Sequence, residues 1–460
     1  MQNIEVYNPA SPEELVWSGT ETALDQLPGL AEAAKKSQKE WEALTGRQRL
    51  DILTAFLDGI EARTSDLADC MVRELGKLRG EAIGEVGKSL VEARWMLGRC
   101  LEKSGKIMAS ARPGIRSMVI RRPRGVVLAI TPWNFPILTP LRKITPALVF
   151  GNAILLKPSV DAPGTAMILQ QVADQSLPKG LLTVIMGGAD IASAAIRCPQ
   201  VDVVTFTGST QVGRKVMSAA AEGLKEVSLE LGGKNPAIVH DAVNMEKTID
   251  DIVRAAFANT GQRCTAISRV LVQQELREPF LNSLLARMKL LIPGPSSNDE
   301  STLGPLSTKA QYDKVCEFLK HINPEQTDIL TGGSPVDLPG GGYFFEPTLV
   351  EVTDSKCEIN FSEIFGPVLG VEFYEKVDDA ISRANATEYG LTSSVFASDI
   401  SVIRAFEEGI ESGMLHINHG TFPDENMPFG GWKASGVGAP SVGEESEQFY
   451  TRVQAIYEGV

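Results

Sequence analysis

The sequence predicts an α/β fold built on parallel sheet, and three observations carry that expectation. Between Gly125 and Pro236, short β-branched runs alternate with segments of helical length: GVVLAIT, AILLKPS, LLTVIMG, VDVVTFTG and EVSLELGG. Such alternation marks βαβ units, whose crossover helices cover both faces of a parallel sheet. A second α/β region follows from about Pro236 to Lys433, with helical stretches such as KTIDDIVRAAFANT and strand candidates such as SRVLVQ and SSVFAS. Finally, 460 residues, 43% hydrophobic and 22% charged, are too many for one core and suit two or three globular domains.

The elements are justified in order. MQNIEVYNPASPEELVW carries acidic residues and prolines where an export signal needs a basic start and an apolar run, so a cytoplasmic protein is expected. This short N-terminus is read as lacking the extra hairpin of longer relatives. From Leu27 to Lys106 apolar residues recur at helical spacing, as in RQRLDILTAFLDGIEARTSDLADCMVRELGK. IRSMVIRRPRGVV alternates with period two and reads as an exposed arm that pairs with another strand, for which RVQAIY near the C-terminus is a candidate.

Charge and cysteine content exclude several functions. A net charge of −14 repels phosphate backbones and argues against nucleic-acid binding. GVVLAITPWNFPILTPL, the most apolar stretch, is broken by prolines and an asparagine well short of the roughly 20 residues of a membrane span. The six cysteines lie far apart with no CxxC and no neighbouring histidine pair, so no metal site is expected.

In open α/β sheets, ligands bind at the carboxyl ends of the strands. Those ends carry Trp133 and Asn134, Lys157, Gly187, Gly208 and Glu230. TFTGSTQVGRKV reads as a strand, a glycine turn at Gly208 and a helix start at Ser209, with Gly213 beyond; it is either a phosphate site or plain strand-to-helix punctuation. Lys157 is a ligand contact or a solvated lysine. Glu230, ending an apolar strand, is a desolvated general base or a structural acid. Cys264, in GQRCT, is a nucleophile or a small buried hydrophobe; Arg263 beside it favours a thiolate.

Together these stretches resemble the aldehyde dehydrogenase family. The motifs stand in order along nearly the whole chain: TPWNFP (131–136), LLKPS (155–159), FTGST (206–210), LELGGKNP (229–236), GQRCT (261–265), SEIFGPV (362–368) and PFGGWKASG (428–436). The resemblance implies that Cys264 attacks the aldehyde carbon, that Asn134 and the Cys264 N–H hold the oxyanion, and that Glu230 activates water to release the acid. Lys143 joins the catalytic set. Cofactor contacts are implied for Trp133, Lys157, Ser159, Gly208, Ser209, Gly213, Leu231, Glu363 and Phe365, with Glu363 on the nicotinamide ribose.

Two departures bear on specificity. NAD-specific members usually have a glutamate where this chain has Val160, so NADP is expected to be accepted beside NAD, and preferred. Arg142 stands where many members carry tryptophan. Succinate-semialdehyde dehydrogenases are similar in having arginine there, which implies a small anionic semialdehyde held by Arg142, or else an arginine paired with a nearby acid. Their second anchoring arginine would fall at Ala258; Arg263, His419 and Phe422 are further candidate substrate contacts.

The resemblance divides the chain into a Rossmann-type NAD(P)-binding domain (1–112 and 127–235), an α/β catalytic domain (236–433), and an oligomerisation arm with a C-terminal strand (113–126 and 434–460). A homodimer or homotetramer is implied. Alternatives are a dehydrogenase for neutral or sulfonated aldehydes, a cysteine esterase or hydrolase using the same thiol, and a non-catalytic protein on this fold.

Overall fold

A computed structural model describes residues 2–102, 105–241 and 244–459. Two sheets organise the chain. The first has spatial order Gly436–Val437, Glu226–Glu230, Val203–Thr207, Val126–Ile130, Ala153–Lys157, Leu182–Val184. All its strand pairs are parallel except that of Gly436–Val437 with Glu226–Glu230. Val126–Ile130 and Ala153–Lys157 are buried at every residue, which explains their continuous apolar runs.

Register aligns the strand ends. Ile130 lies beside both Lys157 and Phe206, and Thr207 beside Glu230. After Val126–Ile130 the chain winds outward to Ala153–Lys157 and Leu182–Val184, then returns to Val203–Thr207 on the other side. The order therefore reverses between Ile130 and Phe206, and the crevice at such a switch point is where open α/β sheets bind ligands.

The N-terminal helices Leu27–Ala43, Gly46–Ala62, Thr64–Leu75 and Arg79–Leu97 share one apolar core with this sheet. Before them, Asn3–Asn8 and Ser11–Thr20 pair as an antiparallel hairpin. Two residues, Pro9 and Ala10, make the turn, and Ile4 and Val6 bury against Ala166 and Met186. Apolar residues on alternate positions were the signal for this strand.

The second sheet has order Thr327–Thr331, Thr348–Val352, Val368–Tyr374, Ile267–Gln273, Asn235–Val239, Thr392–Phe396, Met414–Ile417, and is parallel apart from its Thr327–Thr331 edge. The linker Leu231–Lys234 passes from the end of Glu226–Glu230 in one sheet to the start of Asn235–Val239 in the other. A third, three-stranded sheet stands apart. In it Ile115–Pro123 pairs antiparallel with Thr451–Gly459 on one side and Gly105–Met108 on the other. Of the 434–460 segment expected in this arm, Gly436–Val437 instead closes the first sheet beside Glu230, because Gly436 and Val437 pair with Glu230 and Leu229. No helix among the described residues is long and apolar enough to cross a membrane.

Candidate active site

A cleft of about 1240 Å³ lies between the two sheets. The strand ends of the first sheet supply Asn134, Lys157, Gly208 and Glu230 to its wall, and Cys264 faces them from the second region. Gly188, one residue past the predicted Gly187, lines it as well.

Cys264 sits on an unusual backbone. After the helix Met245–Phe257, Asn259, Thr260 and Gly261 have φ values of 54°, 57° and 71°. Three successive left-handed residues, one of them β-branched, persist only when their surroundings hold them. Here the Asn259 N–H donates to Glu81 Oε1 (2.7 Å), Thr260 Oγ1 donates to the Gly304 carbonyl (2.9 Å), and Gln262 Oε1 accepts the Ser307 N–H (2.9 Å). At Gly261 a Cβ would lie 2.2 Å from the Gly366 carbonyl oxygen, so only glycine fits. The loop is neither helix nor strand because it is a pinned left-handed turn that presents a thiol.

Asn134 joins the same network. Its Nδ2 donates to the Gln262 carbonyl (3.0 Å) and its own carbonyl accepts from Asn259 Nδ2 (3.3 Å). This fixes the amide beside the cysteine loop and leaves its second N–H for a ligand. Burial pushes the Cys264 thiol up to about 11, against the opposing pull of Arg142 and, less, Arg263. Burial therefore outweighs the pull of Arg263 toward a thiolate.

Glu230 is buried with Oε2 free of any hydrogen-bond partner, and burial raises its carboxyl well above the ordinary glutamate value. Lys143, Arg142 and Ser441 oppose that rise. Lys143 is buried too, donates to Thr205 Oγ1 (2.8 Å), and is held below the ordinary lysine range by the same desolvation. A carboxyl raised in this way is suited to take protons near neutrality.

The cofactor candidates divide. Ser209 caps the helix Thr210–Glu222, whose N-terminus opens on the cleft beside Gly208. Lys157 is buried and pushed down to about 8 by desolvation, with Asp161 and Glu21 opposing. Ser159 Oγ donates to Asp161 Oδ2 (2.8 Å). Glu363 Oε1 accepts the Gly233 N–H (3.0 Å), and a Cβ on Gly232 would lie 2.5 Å from its Oε2, so the paired glycines make room for this carboxylate. Trp133 packs edge-on against Phe365 at 5.7 Å, and Leu231 lines the cleft. Gly213 does not line it: a Cβ there would strike Leu231 at 2.4 Å, so this glycine admits Leu231 rather than a phosphate.

The substrate candidates divide as well. Arg142 and Phe422 line the cleft, as does Arg263, while His419 does not. The His419 ring is edge-on to buried His416 at 4.8 Å and its Nδ1 meets the Gly420 carbonyl (2.7 Å). Arg142 is not a free anchor. Its Nε and Nη2 bind Glu92 Oε2 and Oε1 at 2.6 and 2.7 Å, which satisfies the fork with an internal acid.

The helix Arg79–Leu97 falls within the helical stretch expected from Leu27 to Lys106, but the sequence did not single out its polar residues as part of the site. Glu81, Glu85, Lys88 and Glu92 recur along it at spacings of three and four, a polar stripe on one face. Glu81, Glu85 and Lys88 line the cleft. Glu85 pairs with buried Lys77 at 2.5 Å and accepts the N–H groups of Ile137 and Leu138, satisfying the start of the helix Leu138–Val149.

A pinned cysteine, a buried carboxyl and a switch-point crevice define a thiol enzyme with room for a dinucleotide. The chain matches the aldehyde dehydrogenase family over residues 1–456 and belongs to it. It is 32% identical to an alpha-ketoglutaric semialdehyde dehydrogenase of Bacillus subtilis, over 99% of this chain and 94% of the relative. It is 36% identical to a mitochondrial succinate-semialdehyde dehydrogenase of Arabidopsis thaliana, over 95% and 83%. The crystal structure of Staphylococcus aureus betaine aldehyde dehydrogenase in complex with NAD+ superposes with a TM-score of 0.96 at 29% identity, covering 100% of this chain and 92% of that one. The fold is the α/β aldehyde dehydrogenase fold, and the activity is NAD(P)-dependent aldehyde oxidation.

Proposed function

We propose that this enzyme oxidises a small anionic semialdehyde, of the succinate-semialdehyde kind, to the carboxylic acid. The observation that carries the catalytic reading is the left-handed turn 259–261, which holds Cys264 beside Asn134 across the cleft from Glu230. Cys264 releases its proton to solvent and attacks the aldehyde carbon as a thiolate, giving a thiohemiacetal. The free Asn134 N–H and the Cys264 N–H stabilise its oxyanion, a contribution of about 3 kcal/mol per donor. Bound NAD or NADP supplies the hydride acceptor. Glu230 then takes a proton from the water that cleaves the Cys264 thioester.

The donor set fits a dinucleotide. The helix start at Ser209 and the Lys157 ammonium suit phosphate and ribose oxygens, and the Glu363 carboxylate suits ribose hydroxyls. We propose that NADP is accepted beside NAD, since Val160 puts no carboxylate at that position. Asp161 and Glu21 offset the Lys157 charge, which supports use of both cofactors.

The domain division 1–112 with 127–235, 236–433, and an arm of 113–126 with the C-terminal strand, is our working assignment. Exposed Ile107, Val453 and Tyr457 on the arm sheet support a homodimer or homotetramer, and we place the enzyme in the cytoplasm as part of this proposal. The names of the two semialdehyde relatives support the substrate class; the Arg142–Glu92 pair favours the alternative of neutral aldehydes. The test is NAD(P)H formation with each cofactor against succinate semialdehyde and a neutral aldehyde of equal chain length. Higher kcat/KM for the anion supports the proposal; preference for the neutral aldehyde overturns its substrate.

A further inference from the structure

We propose that the substrate's distal anionic group is held by Arg254 and Arg263, gathered around the Phe422 ring, and not by Arg142. This rests on the anionic-semialdehyde reading and names the residues that would confer it.

The Arg142 charge is already answered. Both oxygens of Glu92 grip it, and its guanidinium lies over the Phe429 ring at 4.4 Å. Lys88 adds a second cation to Glu92 at 3.6 Å, with its ammonium anchored on the Pro423 carbonyl (2.8 Å). An incoming carboxylate would have to compete with Glu92 for the fork.

Arg263 is the opposite case. It is 7% exposed, lines the cleft, and forms no salt bridge among the described residues. Its Nη2 donates to Thr265 Oγ1 and the Thr421 carbonyl (3.1 Å each), and its Nη1 has no partner. Buried cations are ordinarily paired, so an unpaired one next to the nucleophile needs an anion from elsewhere. The Glu81 carboxylate acts on its charge, but one of its oxygens already accepts the Asn259 N–H.

Arg254 extends the site outward. It lies exposed on the cleft wall, one helical turn before Ala258, and forms no ion pair among the described residues. The neighbouring acids on its helix are engaged elsewhere, Asp250 by Arg287 and Asp251 by Lys247. The Arg254 and Arg263 guanidinium groups sit 4.8 and 4.2 Å from the Phe422 ring centroid. A ring contact of this kind orients the guanidinium plane and leaves its N–H edge for a carboxylate. Two unpaired arginines on one aromatic hinge suit an aldehyde that ends in a carboxylate.

The experiment compares kcat/KM for succinate semialdehyde and butanal in wild type, Arg254→Gln, Arg254→Lys and Arg142→Gln. Because Arg254 is exposed, its substitution tests the site without the folding risk of buried Arg263. The expected result is a fall of about tenfold in the anion-to-neutral ratio for Arg254→Gln, mainly through KM, with partial recovery in Arg254→Lys. An unchanged ratio in Arg254→Gln, with the loss appearing in Arg142→Gln, overturns the proposal while leaving the anionic reading intact. A wild-type enzyme with no preference for the anion overturns that reading and this proposal together.

Discussion

Arg142 and Glu92 form a closed fork-to-fork pair, with two N–H to oxygen contacts of 2.6 and 2.7 Å between side chains 11% and 5% exposed. A buried pair of this geometry is held less by its net energy than by the cost of breaking it. Replacing Glu92 alone leaves an uncompensated arginine beside the cleft. Glu92→Ala is expected to lower stability by about 3 kcal/mol, read from the denaturant midpoint, and an Arg142→Met/Glu92→Leu double variant to recover most of it. Equal stability of Glu92→Ala and wild type would remove the pair from the account.

A second buried pair positions the helix that leads to Lys143. Lys77 and Glu85 are 2% and 1% exposed, and Glu85 also receives two backbone N–H groups at the start of Leu138–Val149. Lys77→Met is expected to cost about 3–5 kcal/mol in chemical denaturation, because Glu85 would be left charged without its cation.

Asn134→Ala removes the proposed side-chain oxyanion donor and one tie to the cysteine turn. The expected drop in kcat is on the order of 100- to 1000-fold, with a smaller change in KM, measured by steady-state NAD(P)H formation. A change confined to KM would contradict an oxyanion role.

Burial raises the Glu230 carboxyl above its ordinary value of 4.5, so the folded state holds this proton more tightly than the unfolded one. Its contribution to stability is therefore present below the unfolded pKa and lost as pH rises through the folded one. Glu230→Gln is expected to be more stable than wild type at alkaline pH and close to it in acid, by thermal melts across pH. In activity the sign reverses: the base works only when deprotonated, so turnover should rise with pH along a limb that Glu230→Gln lacks.

Much of this site was legible in the sequence, for a physical reason. Fully buried parallel strands read as apolar runs, and what ends them, Lys157, Gly208 and Glu230, is aligned by register at the cleft. Cys264 stood out because glycine and polar neighbours interrupt every periodic pattern. What stayed hidden depends on contacts distant in the chain. Nothing local reveals that Glu92 closes on Arg142, that Gly213 makes room for Leu231, or that His419 packs against His416. Arg254 is one charged position on a helical stretch in the sequence, and only the fold brings Phe422 against it.

The central claim is that Cys264 carries the acyl group and Glu230 releases it. The most direct test is mass analysis of the Cys264 peptide from Glu230→Gln after incubation with succinate semialdehyde and NADP. The account predicts a stable increment equal to the acyl group, formed only when cofactor and aldehyde are both present, with Cys264→Ala inactive and unlabelled. Steady turnover by Glu230→Gln with no label on Cys264 would contradict it.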